Sequence, residues 1–181
     1  RIPLIVYASH TDFEQTNIIE GQLGEGTGGV TEGAKRRVIM PLAASLADTG
    51  HVLGHELVHA FQYDIAAQDQ DQPGLSGMDQ LPLWMVEGMA EYLSIGPVDP
   101  HTAMWIRDAS RDEKLPGIDR LDDPQLFPYR WGQALWAYIA GRWGDSTVGT
   151  VFKEAVAARS ATTGIEQALL VSSEDLSRDW H

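Results

Sequence analysis

Short apolar runs dominate the first forty residues, and apolar positions at helical spacing dominate the rest. Ile2-Pro3-Leu4-Ile5-Val6-Tyr7 predicts a first strand. Thr11 to Ile19 predicts a short helix capped by Ser9 or Thr11. Gly21 to Gly33 carries six glycines and predicts a loop or mobile turn region. No Lys-Ser/Thr pair follows it, which speaks against a phosphate-binding loop. Arg36 to Leu42 predicts the second strand, and Pro41, which lacks a ladder N–H, places that strand at a sheet edge.

After Leu42 the pattern turns helical. Ala43 to Ala67 reads as a long helix, and the polar Asp69 to Asp79 as a loop. Leu83 to Ile95 reads as a helix ended by Gly96-Pro97, and Pro100 to Ser110 as another. Leu115 to Pro128, with three prolines, predicts an ordered loop. Tyr129 to Trp143 is an aromatic helix stopped by Gly144. Thr147 to Ala158, Thr163 to Leu170 and Glu174 to Trp180 complete the helical set. Strands first and helices afterwards predict an α+β fold, without internal repeats.

A length of 181 residues suits one domain, or one domain of two small lobes. With 43% hydrophobic and 22% charged residues the chain reads as globular, which excludes a disordered acidic tail, a collagen-like fibre and a disulfide-built miniprotein. Its 26 Asp+Glu against 13 Lys+Arg give a net charge of −13, so a nucleic-acid partner is not expected. Cysteine is absent, which removes disulfides, thiolate metal sites and a cysteine nucleophile. No run reaches the ~20 apolar residues of a membrane helix, so no membrane insertion is expected. The start at Arg1 suggests a processed protein or a domain excised from a larger one. The compartment stays open, with an extracytoplasmic one favoured.

The chemistry concentrates at His55-Glu56-Leu57-Val58-His59, an H-E-x-x-H motif inside the predicted long helix. Residues four apart share a helix face, so both imidazoles can reach one ion. Glu56 sits where it can take a proton from a water on that ion. Leu53, Leu57, Val58 and Phe61 make the surroundings apolar, so the polar residues need a reason to be there.

A zinc site of this kind needs a third protein ligand. Glu87 and Glu91 stand four apart in Leu83-Trp84-Met85-Val86-Glu87-Gly88-Met89-Ala90-Glu91-Tyr92-Leu93 and interrupt an apolar helix. Two like charges in such a helix are costly without a cation or hydrogen bonds. Glu87 is the expected third ligand, and Glu91 is expected to hold the N–H of a ligand histidine.

H-E-L-V-H followed by W-M-V-E-G-M-A-E-Y, with 27 residues between His59 and Glu87, resembles the gluzincin metallopeptidases, especially the aminopeptidase-N-like and peptidase-MA-like domains. The family's ligand is the Glu of the E-G pair, which maps onto Glu87. The longer spacing here makes the 69–79 loop look like an insertion. Pro128-Tyr129-Arg130-Trp131-Gly132-Gln133-Ala134-Leu135-Trp136-Ala137-Tyr138 resembles the family's P-Y-x-x-G-x-A-L-x-x-Y segment, whose tyrosine, here Tyr129, stabilises the oxyanion. The similarity spans about Val38 to Trp180 and is much weaker before it. The family also implies that the strand before the motif helix aligns an extended substrate along its edge. The G-x-M-E-N sequence that grips a substrate's free amine in the aminopeptidases is replaced by Gly28-Gly29-Val30-Thr31-Glu32-Gly33, with Glu32 only a loose counterpart. An endopeptidase is therefore favoured over an aminopeptidase.

The resemblance implies a single metallopeptidase catalytic domain of zincin, thermolysin-like fold. Residues 1–68 would form a β-sheet with the active-site helix, and residues 69–181 a helical sublobe closing the cleft. His55, His59 and Glu87 would hold one Zn²⁺, Glu56 would act as general base and Tyr129 as oxyanion donor, on a peptide or protein substrate. Tyr92 and Tyr63 are the next candidates for the donor. The alternative is a catalytically silent zinc-binding or peptide-binding module of a larger protein. His51, four before His55, is expected to neighbour the site without ligating. His10, His101 and His181 are expected to be exposed. Trp131, Trp136, Tyr138 and Trp143 are expected to pack a core, and Asp69, Asp71 and Asp79 to be solvated and not a calcium loop.

Overall fold

Strand β3 (Arg37–Pro41) is the middle of a three-stranded sheet, between β1 (Leu4–Tyr7), which it pairs in parallel, and β2 (Val30–Glu32), which it pairs antiparallel. The computed structural model describes residues 1–16, 18, 23–67 and 77–181. Within them the chain is a mixed α+β fold, mostly helical, with this one small sheet. It divides into two compact units, Arg1–Phe61 and Gln62–His181.

The edge position expected for the second strand is therefore wrong, and the reason is local. The amides of Val38 and Leu42 donate to Pro3 and Tyr7 carbonyls on the β1 side. Alternation turns the Pro41 position toward β2, whose register ends at Ile39. Pro41 thus gives up no bond while standing in a central strand. The Gly21 to Gly33 segment was also expected to lack regular structure, but Val30–Glu32 forms β2. Arg36, in the left-handed region at φ 49°, closes the turn back into β3. Gly21 lies outside the described residues.

Helix α1 (His10–Glu14) starts at Ser9, whose hydroxyl accepts the Asp12 amide. Phe13 from α1, Leu23 and Ile39 form the buried centre of this unit, with Ile5, Tyr7 and Val30 packed around them. Helix α2 (Leu46–Ala67) begins in the same way: Ser45 Oγ accepts the Asp48 amide and donates to the Asp48 carboxylate.

The second unit contains the last turn of α2 and six further helices: α3 (Leu83–Ile95), α4 (Pro100–Arg111), α5 (Pro128–Trp143), α6 (Ser146–Ala158), α7 (Ala161–Leu169) and α8 (Ser173–Trp180). Gly96 and Gly144, at φ 87° and 93°, end α3 and α5 as the sequence indicated. The end of the expected 69–79 loop is helical, since Gly77–Gln80 forms a 3-10 turn. Asp69 and Asp71 lie outside the described residues.

Helices α3 and α5 approach with backbone nearly touching. A Cβ on Gly88 would lie 2.3 Å from the Gly132 Cα, and one on Gly132 would lie 2.0 Å from the Trp84 carbonyl oxygen. Trp136 Nε1 donates to the Met85 carbonyl across this seam. Trp131 and Trp136 are buried, as expected for core residues, whereas Tyr138 and Trp143 are half-buried. Among the described residues no helix is long and apolar enough to cross a membrane.

Candidate metal centre

In the first unit, α2 carries His55 and His59 on one face with their Nε2 atoms 3.0 Å apart. Two nitrogens bound at ~2.0–2.1 Å to one tetrahedral ion would lie about 3.3 Å apart, so this separation suits a shared cation. His51 is set further back: its ring centroid is 6.3 Å from that of His55, against 4.7 Å between His55 and His59.

Glu56 is only 6% exposed. Its surroundings come from the glycine-rich segment that precedes β3. A Cβ on Gly29 would fall 2.8 Å from the Glu56 Cγ, so only glycine admits the carboxylate arm there. Thr31 of β2 places its hydroxyl 2.6 Å from Glu56 Oε2 and 2.8 Å from the Glu56 carbonyl oxygen. The single hydroxyl proton serves one of these acceptors at a time, and in either case the β2–α2 contact fixes where Glu56 sits. Neither Gly29 nor Thr31 was singled out for this role from the sequence. The run of glycines ahead of the motif was the available signal.

Glu32, the loose counterpart of an amine-gripping glutamate, is already engaged. Arg37 Nε donates to Oε2, Lys35 Nζ stands 3.0 Å from Oε1, and the Arg37 contact leads in holding its carboxyl below the usual range. His10 departs from the expected exposure. It is half-buried, with Nε2 2.9 Å from the Thr27 carbonyl oxygen and Nδ1 3.2 Å from Glu14. His101 and His181 are exposed.

In the second unit, α3 carries Glu87, half-buried, and Glu91, only 4% exposed. Arg130 of α5 was not foreseen. Its Nη1 stands 3.4 Å from Glu91 Oε2 and 3.0 Å from Asp99 Oδ1, so one guanidinium serves two carboxylates. Asp99 also caps α4 by accepting the Thr102 amide at 2.8 Å. Burial pushes the Asp99 carboxyl up, but the Thr102 amide and the Arg130 charge outweigh it and hold its pKa below the usual value.

Gln62, three residues beyond His59 on α2 and fully buried, donates its amide to the carbonyl of Val86, the neighbour of Glu87, at 2.9 Å. Tyr129 stands in the first turn of α5 with its ring stacked on Phe127, centroids 5.0 Å apart. Tyr92, a fallback donor, is committed elsewhere: its hydroxyl donates to Asp145 at 3.1 Å. Burial, then this contact, raises its pKa.

The described residues include His/Glu groups that could hold a metal ion. The donor chemistry of imidazole and carboxylate without thiolate fits zinc. Comparison of the chain with models of protein families, with curated proteins and with solved structures found no match.

Proposed function

We propose that this chain is a zinc-dependent metallopeptidase catalytic domain of gluzincin type and zincin-like fold, an endopeptidase in preference to an aminopeptidase. The observation that carries the reading is the converging His55–His59 pair beside a buried Glu56 held by Thr31. A purely structural site would need no general base placed in this way.

His55, His59 and Glu87 are the proposed ligands. What supports Glu87 is its place on an otherwise apolar helix, as the carboxylate a two-histidine zinc site needs for its third ligand. His59 is preferred to His51 as the partner of His55 because its ring lies closer. Glu91 is proposed to hold the N–H of a ligand histidine, with Arg130 steadying its carboxylate.

Zinc, when bound, would polarise the scissile carbonyl and make a water acidic enough to lose its proton near neutral pH. Glu56 takes the proton from the attacking water and returns it to the leaving amine. Thr31 keeps the carboxylate in place through both transfers. Tyr129 donates its phenolic hydrogen to the oxygen that gains charge. With Glu32 tied to Arg37 and Lys35, no amine clamp is proposed, and an internal peptide segment is the favoured substrate.

Hydrolysis of a quenched-fluorescence peptide library by the zinc-loaded chain and its Glu56→Gln variant tests this reading. The wild type is expected to cleave and the variant to keep zinc while losing about 10²- to 10⁴-fold in rate. Full activity in Glu56→Gln would remove Glu56 as the base. Zinc binding with no cleavage by the wild type would favour the silent binding module.

A further inference from the structure

Phe127 occupies the N-cap position of α5, where Ser, Thr, Asp or Asn would bond a free helix amide, and it makes no side-chain cap. Its residue is 45% exposed. Trp105, on α4, is 38% exposed, with its ring centroid 5.8 Å from that of Phe127. Phe127 in turn stacks on Tyr129. Three aromatic rings from two helices and a loop thus form one continuous ladder, two of its members facing water. A capping position given to phenylalanine and a tryptophan left partly in water both depart from local rules, and the ring contacts leave one side of the ladder open to solvent.

We propose that Trp105, Phe127 and Tyr129 form the subsite for a large apolar or aromatic side chain of the peptide substrate. The inference rests on the proposed role of Tyr129. If its hydroxyl meets the carbonyl under attack, a side chain near that carbonyl falls along the ladder. The ring-to-ring steps of 5.0 and 5.8 Å together reach about three residues of extended chain, so the favoured residue lies within that distance of the scissile bond. Stacked and tilted rings offer both π-faces and edges, which suits Phe, Tyr, Leu or Met and gives little to Ala or Gly.

The test compares cleavage by the zinc-loaded chain of peptides that differ only by Phe, Leu or Ala near the cut. It also measures, by NMR titration of the metal-stripped chain, binding of acetylated and amidated Gly-Phe-Gly against Gly-Ala-Gly. Phe and Leu substrates should exceed Ala by roughly 10- to 100-fold in kcat/KM. Trp105→Ala and Phe127→Ala should bring that ratio to within about threefold of unity, while Trp105→Phe keeps most of it. Circular dichroism confirms that the variants fold, and Phe127→Leu serves if Phe127→Ala does not. Cleavage without an apolar preference, or with one that both alanine variants leave intact, would overturn the subsite and leave the peptidase reading standing. Phe-selective binding that requires Trp105 and Phe127, with no hydrolysis of any peptide, would overturn the peptidase reading and keep the aromatic site. A concentration-dependent dimer dispersed by Trp105→Ala would assign the rings to a second copy of the chain and overturn the proposal.

Discussion

Gly88 and Gly132 cross so closely that a methyl group on either would strike the backbone of the other's helix, at 2.3 Å from the Gly132 Cα and 2.7 Å from the Gly88 Cα. Each neighbours a proposed functional residue: Gly88 follows Glu87, and Gly132 lies three positions after Tyr129. The seam between α3 and α5 therefore sets where those side chains stand.

Gly132→Ala should destabilise the chain. Alanine ordinarily gains up to ~1 kcal/mol over glycine inside a helix. Here a clash with the Trp84 carbonyl reverses the sign, and a net loss of about 3 kcal/mol, or roughly 6–12 °C in Tm, is expected. Gly149→Ala in α6, where the added Cβ meets nothing within 4 Å, should stabilise slightly. Thermal unfolding of the two variants checks this, and equal Tm shifts would contradict it.

Thr31→Val removes the hydroxyl beside Glu56 at nearly constant volume. Turnover on a cleaved peptide should fall by about 10- to 100-fold with zinc content unchanged. Thr31→Ser should keep most activity. Steady-state kinetics beside metal analysis decides it, and full activity in Thr31→Val would mean that Glu56 does not depend on this contact.

Much of this arrangement was legible in the sequence, and what was hidden shares a cause. Helix α3 was readable from end to end because Pro82 precedes it, Gly96 must take a positive φ, and apolar residues fill the interval. The His55–His59 face follows from helix periodicity alone. Strand β2 was hidden because three residues inside a glycine-rich stretch carry no periodic signal, and their pairing comes from β3. The edge position of Pro41 was misjudged because the shortness of β2, which leaves that side unpaired, is a tertiary fact. Arg130, Thr31 and Gln62 act on partners 24 to 39 positions away, and nothing local marks such partners.

Tyr129→Phe and Tyr92→Phe should separate chemistry from stability. The first is expected to lower kcat by about 10²-fold with little change in Tm. The second loses the Asp145 contact and should lower stability by about 1 kcal/mol, or roughly 2–4 °C, while turnover stays near wild type. Rates and melting curves of both variants check the split, and an unchanged rate in Tyr129→Phe would move the donor elsewhere.

Acid stability should depend on Asp99. In the folded chain its carboxyl ionises below the ordinary value of 3.8, so as pH falls the unfolded chain takes up the proton first. The stabilisation is complete above about pH 4 and is lost as pH drops through the folded pKa. Asp99→Asn, which keeps a capping side chain but cannot titrate, should therefore show a shallower fall in Tm as pH drops below about 4. Identical acid limbs for both proteins would contradict this account.

The central claim is that His55, His59 and Glu87 hold a zinc ion that serves peptide hydrolysis. Metal content of the purified chain, measured beside quenched-peptide cleavage before chelation, after it and after zinc is restored, tests it most directly. The account predicts one zinc per chain, lost activity on chelation, recovery with zinc, and loss of the bound ion in His59→Ala or Glu87→Ala. No zinc bound even when it is supplied, or cleavage that survives complete removal of metal, would contradict it.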